Sequence, residues 1–171
     1  MKNIELRLSM VWLTILTILL SSCSPSLSTE TVDMELELVG ETLFEGSNSL
    51  QYANKNQLAD LAATIGMDSR SLKSVVVSKA LIELNELSRP ITESLLLQVV
   101  SDNQELITIG TLNPLPEGKQ FVLSLAENTS ILPYLKDSGS TWVLDLNISE
   151  DYMDEMVVNG TLTLSIEYKP N

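Results

Sequence analysis

The segment Thr141-Trp-Val-Leu-Asp-Leu-Asn-Ile148 has the clearest β-strand pattern in the chain. Large apolar residues occupy every second position, and a period of two places successive side chains on opposite faces of a β-strand. The segment Thr161–Tyr168 repeats this pattern, so these two segments are the clearest predicted strands. The residues predicted to face the core are Trp142, Leu144, Leu146, Ile148, Leu162, Leu164, Ile166 and Tyr168.

Five further segments carry strand signals, and little of the remaining sequence is helical. The absence of a β-α-β rhythm argues against a parallel sheet. Seven strands with short connections predict a mostly β fold, an antiparallel β-sandwich that is immunoglobulin-like or jelly-roll-like. The five segments are Val32–Leu38, Leu72–Leu84, Thr92–Val100, Leu106–Leu112 and Phe121–Leu125.

The segments between the predicted strands are predicted to form one helix, a loop and a helical turn. One short amphipathic helix is predicted near residues 56–66, with Gly66 as its C-cap. Residues 40–54 are polar and predict a loop, whereas residues 150–156 predict a turn of helix. In the strand at 72–84, the spacing places Leu72, Val76, Ala80, Ile82 and Leu84 on one face.

Composition and charge exclude several functional classes. The 171 residues, 44% of them hydrophobic, fit one globular domain. Twenty-three acidic residues against ten basic ones give a net charge of -13, which argues against nucleic acid as a partner. The chain has no histidine and one cysteine, which excludes histidine-based triads, cysteine-rich zinc sites and internal disulfides.

The amino-terminal segment has the pattern of a secretory signal. Lys2 and Arg7 precede the uncharged apolar run Leu8–Leu20. Its 13 residues are fewer than the roughly 20 that a membrane-spanning helix needs. A positive start, a short apolar centre and small residues afterwards are typical of a signal peptide.

Leu20-Ser21-Ser22-Cys23 resembles the lipobox of a bacterial prolipoprotein. In that family the cysteine sulfur receives a diacylglyceryl group, and cleavage makes the cysteine the first residue of the mature chain. The resemblance therefore implies lipidation of Cys23 and anchoring to a membrane. The serine that follows Cys23 favours the outer membrane in the family's sorting pattern. The alternatives are a conventional signal peptide with an incidental cysteine, or an uncleaved anchor.

The resemblance divides the chain into three parts: a signal peptide at 1–22, a lipidated cysteine with a polar tether at 23–31, and a β-sandwich domain at 32–171. Residues 1–22 contain two basic residues and one acidic residue. The remainder then has 8 basic and 22 acidic residues, a net charge of -14. Such a domain is mildly repelled by an anionic membrane surface, so attachment is expected from the lipid rather than from a basic face.

Two acidic groups are candidates for cation binding. Asp145, Asn147 and Asp151 are spaced like the start of a calcium loop, whose alternate side chains supply oxygen ligands. Glu150 and Met156 stand where that motif needs glycine and a bidentate glutamate, so a solvated acidic strand end is favoured and no metal is predicted. A second group is expected to be the exposed face of an edge strand, with a cation or sugar surface as the alternative. It consists of Glu35, Glu37, Glu41 and Glu45.

The aromatic residues divide into a predicted core set and a predicted loop set. Trp142, Phe121 and Tyr168 share apolar strand faces, which predicts that they are buried. The others lie in predicted loops or turns, where a packing role is favoured and a carbohydrate platform of exposed rings is the alternative. These four residues are Phe44, Tyr52, Tyr134 and Tyr152.

Catalysis is not predicted, and neither is any cofactor. Ser71-Leu-Lys73 and Ser78-Lys79 do not have the Ser-x-x-Lys spacing that places both groups on one helix face. The predicted function is a lipid-anchored protein of the cell envelope whose non-enzymatic sandwich binds or organises a protein partner there. The alternatives are a carbohydrate- or cation-binding module and, after it, a carboxylate-based glycosidase. An uncovered strand edge would favour protein contact, and a ring of exposed aromatics or converging carboxylates would favour the first alternative.

Overall fold

The computed structural model describes residues 26–52, 57–126 and 130–170. They form a mostly β, antiparallel structure, which confirms the predicted fold class. Helix α1 spans Gln57–Thr64, a 3-10 turn spans Ser69–Ser71 and helix α2 spans Leu132–Lys136. The strands are β1 (Ser28–Leu43), β2 (Gly46–Tyr52), β3 (Leu72–Glu83), β4 (Thr92–Ser101), β5 (Gln104–Leu112), β6 (Gln120–Val122), β7 (Ser124–Leu125), β8 (Thr141–Ile148) and β9 (Tyr152–Tyr168).

The nine described strands form one nearly closed sheet in the order β6-β3-β9-β1-β2-β8-β4-β5-β7. Residues 120–125 run from one edge of the sheet to the other, because β6 pairs with β3 and β7 pairs with β5. At the opposite side, β1 and β2 share the single register pair Val39↔Gln51. The sheet therefore folds over on itself there and encloses the core.

The core consists of the inward-facing residues that the alternation predicts. All eight predicted core residues of β8 and β9 are buried, and Trp142 has no exposed surface. Burial of such side chains contributes roughly 1.5–3 kcal/mol each. Helix α1 ends as predicted, since Gly66 adopts a φ of +68° and the Met67 amide donates to the Ala62 carbonyl at 2.8 Å.

Two predicted non-strand segments form strands. The loop expected at 40–54 contains β2, of which Leu50 is the only buried residue, so the polar sequence concealed the strand. The helical turn expected at 150–156 is the start of β9, which begins at Tyr152 and pairs with β1. In both cases pairing with a neighbouring strand overrides the weak local signal.

The predicted inner face of β3 is wrong at one position. Val75 and Val77 are buried and Val76 is only partly buried, which is the reverse of the expectation. The register with β9 shifts between Leu72 and Ser74 and again between Val77 and Lys79. Each irregularity moves the following residues to the other face, so uniform alternation does not hold along this strand.

The sheet begins nearer to Cys23 than predicted. β1 starts at Ser28, and residues 28–31, which were assigned to the tether, pair with residues 165–168 of β9. The signal peptide, the lipobox and Cys23 lie outside the described residues. Among the residues that are described, no helix is long and apolar enough to cross a membrane.

Candidate functional site

The sandwich has two ends with different chemistry. At the proximal end, β1 begins, β9 finishes and β3 begins, with Ser28 and Leu72 on either side of Tyr168. At the distal end, the β1–β2 turn meets the start of β9 through the pair Leu43↔Tyr152. We refer to residues 41–46 together with 150–155 as the distal tip.

The turn at the distal tip is held by side-chain hydrogen bonds. The Phe44 amide donates to Asn48 Oδ1 at 3.0 Å, and Asn48 Nδ2 donates back to the Phe44 carbonyl at 2.6 Å. The Glu45 amide donates to Asp151 Oδ1 at 2.8 Å, which joins the turn to the segment before β9. Gly46 closes the turn with a φ of +103°. The position of the Phe44 backbone is therefore fixed from both sides.

Backbone strain marks the same turn. Thr42 has a φ of +51° and is the only non-glycine residue of the described chain with a positive φ. This conformation is costly for a β-branched residue. The register between β1 and β9 also shifts here, between Glu41 and Leu43. Strained residues and bulges persist where surrounding structure enforces them, and both are common at functional sites.

Substituting Thr42 with glycine is expected to raise the free energy of unfolding by about 0.5–1 kcal/mol, because glycine adopts a positive φ without a steric cost. The matched control is Glu41→Gly in the same strand, where φ is negative and the added freedom should destabilise by a similar amount. Urea unfolding followed by circular dichroism measures both. Equal destabilisation by the two substitutions would contradict the assignment of strain to Thr42.

Two large apolar side chains are exposed at the distal tip. Phe44 is 58% exposed and Met153 is 60% exposed. Phe44 follows Leu43 and Met153 follows Tyr152, so the two flank the same register pair. Aromatic residues and methionine are enriched in the cores of protein interfaces, where they fill pockets on the partner. An apolar pair on a fixed turn is thus suited to protein contact.

Carboxylates surround this apolar pair. Residues 41–46 and 150–155 contain no lysine or arginine. Such a rim disfavours acidic partners and accelerates association with basic ones. The six acidic residues are Glu41, Glu45, Glu150, Asp151, Asp154 and Glu155.

One edge of β9 is uncovered beside the distal tip. β3 pairs with β9 only from Asn159 onward, so among the described strands none pairs with the outer side of residues 152–158. Met153, Asp154 and Glu155 are consecutive exposed residues on this edge. A free edge presents unpaired backbone groups, and acidic side chains on it discourage indiscriminate pairing. This is the feature expected to favour protein contact.

The residues with calcium-loop spacing are not assembled into a ligand set. Asp145 accepts a hydrogen bond from the Ser49 hydroxyl, and Asn147 Nδ2 donates to Glu93 Oε2 at 2.6 Å. Asp151 instead accepts from the Glu45 amide at the distal tip. Within residues 26–52, 57–126 and 130–170, no group of three or more histidine, cysteine or acidic residues is placed to hold a metal ion.

The glutamates of β1 lie on a strand that is paired with β9 along its length and with β2 at one position. β1 lies between β9 and β2 in the strand order but shares only the pair Val39↔Gln51 with β2, and Glu35, Glu37 and Glu41 are exposed as predicted. Glu35 accepts a hydrogen bond from the Thr161 hydroxyl of β9 at 2.9 Å. Glu45 lies in the turn at the distal tip. Part of this acidic row thus supports cross-strand pairing, which contributes roughly 0.2–1 kcal/mol per pair.

The predicted core aromatics are confirmed, since Trp142, Phe121 and Tyr168 are all buried. Of the four other aromatics, three pack as favoured, although they lie in strands or a helix rather than in the predicted loops and turns. Tyr134 is buried in α2, and its hydroxyl donates to the Glu105 carbonyl. Tyr52 and Tyr152 lie in strands and are partly buried, which leaves Phe44 as the exposed aromatic residue of the described chain. These residues do not form a ring platform for a carbohydrate.

The serine and lysine pairs do not form a nucleophile with its base. The Ser71 hydroxyl donates to the Asp68 carbonyl at 2.6 Å, and the Ser78 hydroxyl donates to the Thr163 carbonyl at 2.9 Å. Each hydroxyl proton is therefore bound to backbone rather than to a lysine amine. A serine nucleophile requires an adjacent base, and neither serine has one in this geometry.

Comparisons with known proteins show no family. No family model matches the sequence, and no curated protein does. An empty-head structure of turnip yellow mosaic virus has a TM-score of 0.36 at 10% identity and covers 88% of this chain and 86% of its own. A structure of Desmodium yellow mottle tymovirus has a TM-score of 0.36 at 9% identity and covers 84% of this chain and 90% of its own. A Yersinia pseudotuberculosis-derived mitogen has a TM-score of 0.27 at 10% identity and covers 86% of this chain and 89% of its own. Likenesses this weak carry no functional conclusion.

Proposed function

We propose that the protein is a lipid-anchored lipoprotein of the bacterial cell envelope, on the outer membrane, whose sandwich binds a partner protein through the distal tip. The lipobox at 20–23 supports the anchor. The exposed Phe44 on its strained, hydrogen-bonded turn is the observation that carries the binding function. We propose a non-enzymatic function; in its support, the Ser71 and Ser78 hydroxyls donate to backbone carbonyls rather than to a base.

The direction of β1 is consistent with an anchor at one end of the domain and a binding surface at the other. Five residue steps separate Cys23 from Ser28, a reach of roughly 17 Å when extended. The 16 residues of β1 then lead away from the anchor to the distal tip, a length of about 50 Å at about 3.3 Å per residue. An anchor at one end of this strand and a binding surface at the other would present the distal tip to partners away from the bilayer.

The chemistry of the distal tip defines the partner. Phe44 requires an apolar pocket, and the uncovered edge of β9 accepts a strand or an extended segment. The six surrounding carboxylates require a partner surface rich in lysine or arginine. We therefore infer a basic protein that contributes a hydrophobic pocket, an extended segment, or both.

A photo-crosslinking amino acid at position 44 is expected to capture this partner in intact cells. Phe44 is exposed and central to the distal tip, so a benzoylphenylalanine there should react within the bound complex. The matched control is the same residue at Leu106, which is 52% exposed on β5. Gel analysis of irradiated membranes, with mass spectrometry of each adduct, measures the outcome.

We expect a discrete adduct from position 44 that position 106 does not give, and loss of that adduct in a Glu155→Lys background. Truncating a central aromatic anchor commonly costs more than about 2 kcal/mol of binding free energy. Phe44→Ala should therefore weaken the purified complex at least about 30-fold, whereas Leu106→Ala should not. Equal crosslinking at both positions would contradict a binding role for the distal tip.

A further inference from the structure

Basic residues collect at the proximal end of this acidic molecule. A surface cleft of about 580 Å³ is lined by Arg70, Lys73 and Lys169 together with Asp68, Ser71 and Pro170. Its two walls are joined where the Lys169 amide donates to the Ser71 carbonyl at 3.0 Å. Three cations thus share one opening in a chain whose net charge is -13.

Lys73 also lines a neighbouring cleft of about 550 Å³, which adds Lys136 of α2. The two clefts therefore hold four of the seven described basic residues. We call Lys73, Lys136 and Lys169 the lysine cluster. Asp68 is the one carboxylate among the described residues that line either cleft.

The lysine cluster is electrostatically available. Asp68 forms an ion pair with Arg70 at 2.8 Å, and the hydrogen bond from the Arg70 side chain holds the pKa of Asp68 at about 2. Within the described part of the chain, neither this pair nor any other ion pair includes a lysine of the cluster. Among the described residues, no carboxylate therefore competes with an external anion for these three ammonium groups.

The position of the cluster relative to the predicted anchor identifies the anion. Tyr168 pairs with Ser28 on one side and with Leu72 on the other, and neighbouring strands lie about 4.8 Å apart. Ser28 is thus roughly 10 Å across the sheet from the start of β3, where Lys73 follows. Leu27, adjacent to Ser28, is 53% exposed. A membrane that holds Cys23 lies within roughly 17 Å of this end.

We propose that the lysine cluster binds the phosphates of anionic phospholipids in the membrane that anchors Cys23, an inference that rests on the proposed lipid anchor. Binding docks the proximal end against the bilayer, and the carboxylates of the distal tip disfavour the inverted orientation, in which they would face the same anionic surface. The lipid supplies attachment, and the lysine cluster supplies orientation. The domain then stands with the distal tip directed away from the membrane.

Energy transfer from Trp142 to a dansyl-labelled lipid tests this orientation in the full lipidated chain. Without residues 1–22, which contain Trp12, Trp142 is the only tryptophan. The protein is reconstituted in phosphatidylcholine vesicles with and without phosphatidylglycerol. Transfer should be higher with phosphatidylglycerol and should fall back at 1 M salt, where the Debye length is about 3 Å.

The variant Lys73→Gln/Lys169→Gln should lose this dependence on phosphatidylglycerol. Each basic residue near an anionic surface changes the ratio of docked to undocked molecules by about fivefold, so two change it by about 30-fold. The matched control is Lys79→Gln/Lys119→Gln, which removes the same charge elsewhere on the surface and should behave as wild type.

Three results would overturn the proposal. They are equal transfer in both vesicle types, a dependence on phosphatidylglycerol that persists in Lys73→Gln/Lys169→Gln, and an equal loss of that dependence in the control variant. The anchor is assessed separately by flotation with pure phosphatidylcholine vesicles, which the lysine cluster cannot support. Loss of flotation there would refute the anchor, and lysine-dependent binding to phosphatidylglycerol vesicles would still report on the cluster.

Discussion

Replacing Trp142 with alanine is expected to lower the free energy of unfolding by about 3–5 kcal/mol, the range for a buried aromatic residue. The free energy of unfolding of a domain is about 5–15 kcal/mol in total. If this domain lies at the low end of that range, a large fraction of the variant is unfolded at 37 °C. Trp142 lies in β8 with no exposed surface. Its removal leaves a cavity in the centre of the sheet that the paired backbone cannot collapse to fill.

The loss of a buried hydrogen bond adds to the free-energy cost of the cavity. The Trp142 indole Nε1 donates to Gln57 Oε1 at 3.0 Å, and both side chains are buried. Gln57 Nε2 has no hydrogen-bond partner among the described residues. The bond from Trp142 is therefore the hydrogen bond that the buried Gln57 side chain makes within the described structure. Leaving a buried acceptor unpaired costs about 1–3 kcal/mol.

A comparison of variants separates the cavity from the hydrogen bond. Urea unfolding is followed by far-ultraviolet circular dichroism, because that signal reports mainly the backbone and is present in variants without the indole. Trp142→Phe removes the hydrogen bond and keeps most of the ring, so it should cost about 1–3 kcal/mol. Val122→Ala, at a 54% exposed position in β6, should change the stability by no more than about 0.5 kcal/mol. Similar effects of Trp142→Ala and Val122→Ala would contradict the described core.

Replacing Cys23 with alanine, behind a conventional cleavable signal sequence, is expected to move the protein from membranes to the soluble fraction. Each buried methylene of an acyl chain contributes about 0.8 kcal/mol, and two or three chains make attachment effectively permanent. Alanine has no sulfur to carry a diacylglyceryl group. The lysine cluster alone gives salt-sensitive binding, so it cannot substitute for the lipid.

Membrane flotation followed by a high-salt wash measures this release. Ser24→Ala behind the native signal is the matched control, because it alters the adjacent residue and keeps the sulfur. We expect the control to float as wild type does. Flotation of the Cys23→Ala protein after the salt wash would show that another part of the chain holds it to the membrane.

The parts of the fold that the sequence predicts are those with strong alternation. Trp142–Ile148 and Leu162–Tyr168 follow a strict period of two, and both segments are strands with the predicted buried face. β2 follows no such pattern, because its pairing with β8 depends on backbone hydrogen bonds that polar residues make equally well. Local pattern therefore identifies strands that bury a face and misses strands that do not.

The candidate sites depend on long-range contacts to different degrees. Phe44 is placed in a turn by its polar neighbours, yet Met153 joins it only through the register of β1 with β9. The lysine cluster combines positions 73, 136 and 169, which the sheet brings to one end. No local pattern predicts a group assembled from such distant positions, whereas the lipobox is contiguous and is evident from sequence.

Lipidation of Cys23 is tested by mass spectrometry of the protein extracted from membranes, with wild type beside Cys23→Ala and the native signal on both. We expect the wild-type protein to begin at Cys23, to lack residues 1–22 and to carry a diacylglyceryl group on the sulfur. The Cys23→Ala protein should carry no lipid. A wild-type chain without lipid, or equal lipid on both proteins, would contradict the central claim.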